Sequence, residues 1–264
     1  MNARFGSREA KDSSGPMVKT GSARRETEPA AATDIVQVAG IVDESEARML
    51  LDAGVDWLGI PLRLAVHHED VDDAEAADIV RRVGMQPFTL ITYLDRAADI
   101  AKLCQRLNVS RVQLHGSIHP RELRELRDCA PDLVVLKSIV VRAGDTEAPC
   151  ALVERFTPYV DAFITDTYDP VTGASGATGL THDWRVSRAI VASTTRPVIL
   201  AGGLRPDNVA DAIRAVRPAG VDVHTGIEQS NGRKDPLLTQ AFVAHARAAF
   251  NTYRTGPAEK PRRI

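Results

Sequence analysis

Residues Pro197–Val209, PVILAGGLRPDNV, set five apolar residues directly against two glycines and then open a polar stretch of helical character. A continuous apolar run marks a parallel strand covered on both faces. Gly202 and Gly203 therefore fall at a strand-to-helix junction. Bare backbone there either makes a tight turn or lets a ligand approach the main chain.

The same unit recurs along the chain. Strand-like runs are IVQVAGI from Ile35, DWLGIPL from Asp56, QPFTLIT from Gln86 and RVQLHG from Arg111. LVVLKSIV from Leu133, AFITDT from Ala162, PVILAG from Pro197 and VDVHTG from Val221 follow. Amphipathic stretches separate them. DESEARMLLDAG offers Asp43 as N-cap, Glu46 three residues on and Gly54 as its stop. LDRAADIAKLCQRLN puts Ile100, Leu103, Cys104 and Leu107 on one stripe. RPDNVADAIRAVRP has Pro206 near its start and ends before Pro218. Eight such units predict an α/β protein, a single (β/α)8 TIM barrel. An open doubly wound sheet would carry its glycine fingerprint after the first strand, which here runs into AGIVDES.

The barrel is expected over 34–255. Residues 1–33, rich in Ser, Gly, Lys, Arg, Glu and Ala, read as a disordered extension, and 256–264 as a flexible tail. The 264-residue chain is 44% apolar and 26% charged, with a formal net charge of −2. That balance gives no reason to expect nucleic acid as a partner. No run approaches the roughly 18 apolar residues of a spanning helix, and no signal-peptide core is visible, so no membrane association is expected. Cys104, Cys129 and Cys150 lack C-x-x-C spacing, which argues against disulfides and zinc and points to a reducing cytoplasm. His67 and His68 have no partner at helical spacing, so no metal is expected.

In TIM barrels the loops after strands seven and eight often hold a phosphate through backbone N–H groups and a nearby helix N-terminus. AGGL (Ala201–Leu204) and HTGIE (His224–Glu228) occupy those two places, with Thr225 as a hydroxyl donor. TGASGATGLTHDW (Thr172–Trp184) is too long for a bare connection and reads as a loop covering the substrate.

VQLHG after strand four, DTYDP…GATGLTHDW after strand six, PVILAGGLRPDNV and GVDVHTGIE…GRKDP together resemble the phosphoribosylanthranilate isomerase family, over roughly Ile35 to Phe250. The resemblance implies a phosphosugar substrate, no cofactor, a monomer or homodimer, and an Amadori rearrangement of an N-linked phosphoribosyl amine to an amino-ketose. It carries the general acid onto Asp166 and a second substrate-contacting aspartate onto Asp222. The phosphate site falls on Gly202, Gly203, Thr225 and Gly226, with Gly176, Thr178 and Gly179 over it.

Three positions depart from the family pattern. The first strand normally reads Lys-x-Cys-Gly, with cysteine as the base; here it is Gln37-Val38-Ala39-Gly40. The arginine that holds the anthranilate carboxylate aligns with His68 or Glu69, with Arg63 several residues early. His224 stands where the family has a small hydroxyl residue. The phosphate end is kept while the aglycone end and the base are changed. His224, His115 and Lys137 are the candidates for the base or for substrate contact, since histidine's ordinary pKa near 6.5 suits proton abstraction at neutral pH. The expectation is a phosphosugar isomerase with an altered aglycone or a specialised role. A lyase, epimerase or condensing enzyme on the same barrel, and a non-catalytic phosphosugar-binding barrel, are the alternatives.

Overall fold

The computed structural model describes residues 33–64, 69–142, 144–167 and 183–255, together with Met1. Its strands are β1 (Ile35–Ala39), β2 (Trp57–Pro61), β3 (Phe88–Thr92), β4 (Arg111–Leu114), β5 (Val134–Val141), β6 (Ala162–Thr167), β7 (Val198–Leu200) and β8 (Gly220–Val223). They form a closed parallel barrel in chain order, completed where β1 pairs with β8. The helices that follow them are α1 (Glu44–Asp52), α2 (Asp73–Val83), α3 (Ala97–Leu107), α4 (Pro120–Cys129), α5 (Glu147–Phe156), α6 (Trp184–Ala192), α7 (Val209–Val216) and α8 (Pro236–Thr255). This is the expected TIM barrel.

Side chains that alternate along each strand divide the core in two. One set points outward under the helices, where Phe88, Phe163, Phe242 and Phe250 are fully buried. The other fills the barrel with a small plug of Leu136, Ala162, Ile164, Ile199 and Ala201, against which Ile35 and Trp57 pack. Above that plug the inward positions turn polar, and the site begins there.

Local sequence explains the helix ends. Asp43 caps α1 by accepting from Glu46 N at 2.8 Å, as its spacing predicts. The predicted stripe on α3 is buried in full: Ile100, Leu103, Cys104 and Leu107. α7 starts later than Pro206 suggests. Asn208 accepts from Arg205 N at 2.8 Å and donates to Gly203 O at 3.0 Å, which leaves Pro206 in the turn ahead of the helix. The expected extension from residue 2 to 32, the tail 256–264, His68, Gly176, Thr178 and Gly179 lie outside the described residues.

Phe163 is completely enclosed between β6 and the helix layer. Phe163→Ala is expected to destabilise the barrel by about 3–5 kcal/mol, through lost transfer energy and the cavity left behind. Urea unfolding followed by circular dichroism checks this; an unchanged midpoint would show that the layer repacks freely.

Candidate active site

One cavity of about 410 Å³ opens at the ends of the strands from which the βα loops leave. Among the described residues it brings together every strand end except that of β5: Ala39, Tyr93, His115, Asp166, Asp222 and His224 are among its walls. Gly202, Gly203, Thr225 and Gly226 line its β7–β8 side. Gly202 (φ 106°) and Gly203 (φ 61°) have left-handed backbones that a side chain would strain. A Cβ at Gly226 would overlap the Leu204 carbonyl oxygen, so these two loops pack main chain against main chain. Thr225–Ile227 forms a single 3-10 turn above β8.

A hydrogen-bonded chain crosses the floor of the cavity. Gln37 Nε2 donates to Gln113 Oε1 at 2.8 Å and to Asp222 Oδ1 at 2.9 Å. Gln113 Nε2 then lies 2.6 Å from His115 Nε2. Because the Gln113 carbonyl already faces Gln37, its amide nitrogen faces the ring, and His115 Nε2 is the acceptor. The ring proton is thereby placed on Nδ1, 2.9 Å from Asp166 Oδ2, an ion-pair approach whose angle falls short of a hydrogen bond. Asp166 Oδ1 accepts from Thr167 N at 2.8 Å. Tyr93 stacks on His115 with centroids 5.5 Å apart, and burial, reinforced by the Asp166 charge, pushes its hydroxyl up to about 12. Asp222 is enclosed deeply enough that loss of hydration raises its carboxyl to about 6; the Gln37 hydrogen bond opposes the shift, and Asp166 adds to it.

Ala39 presents a methyl group to the cavity and has no proton to exchange. Beside it Gly40 has φ 80°, and a Cβ there would overlap Nε2 of His224. The His224 ring thus lies over the end of β1, with Nε2 3.3 Å from Glu228 Oε1. Lys234, whose side chain is fully buried, holds the same oxygen at 2.6 Å.

Two sequence expectations are corrected. Lys137 does not reach the cavity. Its register partners Leu114 and Phe163 both face the helix layer, and Lys137 follows them outward, donating to Leu114 O at 3.1 Å and Ser138 O at 2.7 Å. Burial lowers its pKa to about 8. Arg63 is also absent from the cavity wall: its backbone is left-handed (φ 59°), and its guanidinium turns to Asp73 at 2.8 Å and to Glu69. Gln37, Gln113, Tyr93, Asp70 and Glu228 were missed by motif reading. The two glutamines carried a usable signal, because Gln37 and Ala39, like Gln113 and His115, stand two apart and share a face.

Fold and cavity together define a barrel enzyme, with acid–base groups and glycine loops gathered at the strand ends where such barrels do their chemistry. The family model described as N-(5'phosphoribosyl)anthranilate (PRA) isomerase matches residues 36–245. An N-(5'-phosphoribosyl)anthranilate isomerase 2 of Methanosarcina mazei is 38% identical over 81% of this chain and 95% of its own length. The isomerase of Methanothrix thermoacetophila is 36% identical over 81% and 98%. Among solved structures, the phosphoribosyl anthranilate isomerase of Thermococcus kodakaraensis is similar with a TM-score of 0.66 and 29% identity, covering 81% of this chain and 98% of that one. The chain belongs to the N-(5'-phosphoribosyl)anthranilate isomerase family, whose members are intramolecular aldose–ketose isomerases. Among the described residues, no helix is long and apolar enough to cross a membrane.

The raised Asp222 carboxyl gives a signed pH dependence. An unfolded carboxyl loses its proton near 3.8, the folded one near 6, so folding is penalised increasingly across that window and fully above it. Asp222→Asn, whose amide oxygen can still accept from Gln37, is expected to raise stability at pH 7 by about 1–3 kcal/mol. The gain should shrink towards pH 4. Denaturant midpoints at the two pH values check this; an equal gain at both would assign the effect to packing.

Proposed function

We propose that this chain converts an N-linked phosphoribosyl amine to the corresponding amino-ketose. The single observation that carries the reading is one cavity with glycine amides on its β7–β8 side and Asp166 and Asp222 on its walls. The phosphate is held by the main-chain N–H groups of Gly202, Gly203 and Gly226 and by the Thr225 hydroxyl. Asp166, in its protonated form, gives its proton to the ring oxygen. The C1–O bond breaks, the amine lone pair closes onto C1, and an open-chain Schiff base results. A base then takes the C2 proton, and the electrons of that bond flow to the nitrogen to give an enol-amine, which tautomerises to the ketone.

His224 is that base. Its ring covers Gly40 next to Ala39, and the Glu228 carboxylate 3.3 Å away stabilises the imidazolium that forms. His115, with Nδ1 2.9 Å from Asp166 Oδ2 and its ring stacked on Tyr93, fixes the position of the acid. The Asp222 carboxylate accepts from the substrate amine. The aglycone differs from anthranilate: Arg63 is engaged by Asp73 and Glu69, and no Lys or Arg lines the cavity among the described residues.

Steady-state rates with freshly generated phosphoribosylanthranilate, for wild type, Asp166→Asn and His224→Ala, test the assignment. Where the wild type turns over, each variant should lose about 10²–10⁴-fold in kcat. An unchanged rate for His224→Ala would move the base elsewhere. A silent wild type whose melting temperature still rises with ribose 5-phosphate would leave the phosphosugar site standing and change the aglycone.

A further inference from the structure

We infer that Gln37 is a positioning residue for the acid step: through the two amides of the cavity floor it ties a proton on Asp222 to a proton on the His115–Asp166 pair. The inference deepens the isomerase reading above and rests on it for the use made of the proton, while the linkage itself is a property of the floor.

Donors and acceptors joined in series fix one another's direction. With Asp222 ionised, its carboxylate only accepts, so Gln37 turns Nε2 towards it, 2.9 Å away. The same nitrogen lies 2.8 Å from Gln113, which therefore presents Oε1. Gln113 is left with its own Nε2 towards the ring, 2.6 Å from Nε2 of His115. A proton on that ring nitrogen would face the Gln113 N–H head-on. While Asp222 is ionised the pair thus holds one proton, on Nδ1, 2.9 Å from Asp166 Oδ2.

A proton on Asp222 reverses every link. The carboxyl becomes a donor and needs an acceptor. Gln37 Oε1, buried and without a hydrogen bond among the described residues, is the acceptor that rotation of the same side chain supplies. The two ends of an amide are nearly the same shape, so the turn needs no new volume. Gln37 then accepts from Asp222 and from Gln113, Gln113 turns Oε1 to the ring, and His115 Nε2 becomes a donor. Two protons enter from the cavity, one on Asp222 and one on the His115–Asp166 pair, and no heavy-atom bond forms or breaks. The pair now carries a proton on Nε2 and another along the Nδ1–Oδ2 contact, and the latter is the one Asp166 delivers to the ring oxygen.

The surroundings of Asp222 place this exchange in a useful range. Burial is the largest influence and raises its carboxyl to about 6; the Gln37 hydrogen bond, His115 of β4 and Lys234 ahead of α8 oppose the rise, and Asp166 of β6 adds to it. Asp222 is therefore ionised above that point and protonated below it.

The test is nuclear magnetic resonance on the full chain carrying isotope-labelled histidine and aspartate, titrated from acid to neutral pH. Signals are assigned with His115→Gln and Asp222→Asn. In the wild type, His115 Nε2 is expected to take its proton at the same midpoint as Asp222, more steeply than a single proton would. Gln37→Met matches the side chain's length and gives up the amide, so the two midpoints should separate by about one pH unit or more, each with a one-proton slope. Gln113→Met cuts the series at the next link and should do the same. Where phosphoribosylanthranilate turns over, the steep limb of kcat against pH should become shallow in both variants. A wild-type ring that gains its Nε2 proton independently of Asp222, or stays bare there once Asp222 is protonated, would overturn the inference whether or not either variant folds. Linked titration in a chain with no isomerase activity would uphold the linkage and remove the acid step; separate titration in an active chain would sink the linkage alone.

Discussion

Closure of the ring between β1 and β8 is the constraint on which the site depends. That seam sets Gln37 beside Asp222 and Val38 beside Val223, so the next residues along, Ala39 and His224, meet at the mouth. A slip of one residue would turn every inward side chain of β1 to the helix layer. The register makes a single amide nitrogen, Gln37 Nε2, the link between the two halves of the floor, since it serves both Asp222 and Gln113. Its partner atom Oε1 is buried without a hydrogen bond among the described residues. Tolerating such a group in a well-packed barrel is the strain expected of a functional floor and not of a structural one.

Because the floor is shared, its carboxylates differ through their surroundings. Asp166 has a backbone amide on one oxygen and an imidazole beside the other. Asp222 has a neutral amide as its donor, and burial raises its carboxyl to about 6. Two carboxylates in different surroundings suit a reaction that both donates and accepts protons.

How much of this was legible in the sequence depended on whether a residue's role is local. The eight strands were readable because parallel strands covered on both faces are apolar end to end, and Ala162–Thr167 matched residue for residue. The glycine loops were readable from their place after strands seven and eight. Asp166 and Asp222 were reached through the family resemblance, and His224 as a strand-end departure from its pattern; all three line the cavity. Gln37 and Gln113 were not, since a glutamine within an apolar run has no motif, and its partner is 76 residues away. Lys137 was misjudged because inward or outward parity on β5 is set by its neighbours Leu114 and Phe163, which the strand itself does not reveal. Arg63 was misjudged because a left-handed backbone at a non-glycine residue redirects its side chain towards α2.

The end of β1 and the loop after β8 are coupled through packing. The His224 ring takes up the space that the absent side chain of Gly40 leaves, next to the methyl of Ala39. A larger residue at position 40 would exclude the ring, and a small residue at 224 would leave Glu228 with Lys234 alone. The carboxylate that orients His224 is therefore already fixed by a buried lysine, independent of the histidine. Gly40 is thus the position that makes room for the His224 ring, and the ring's place beside Ala39 and against Glu228 is the physical reason to read His224 as functional.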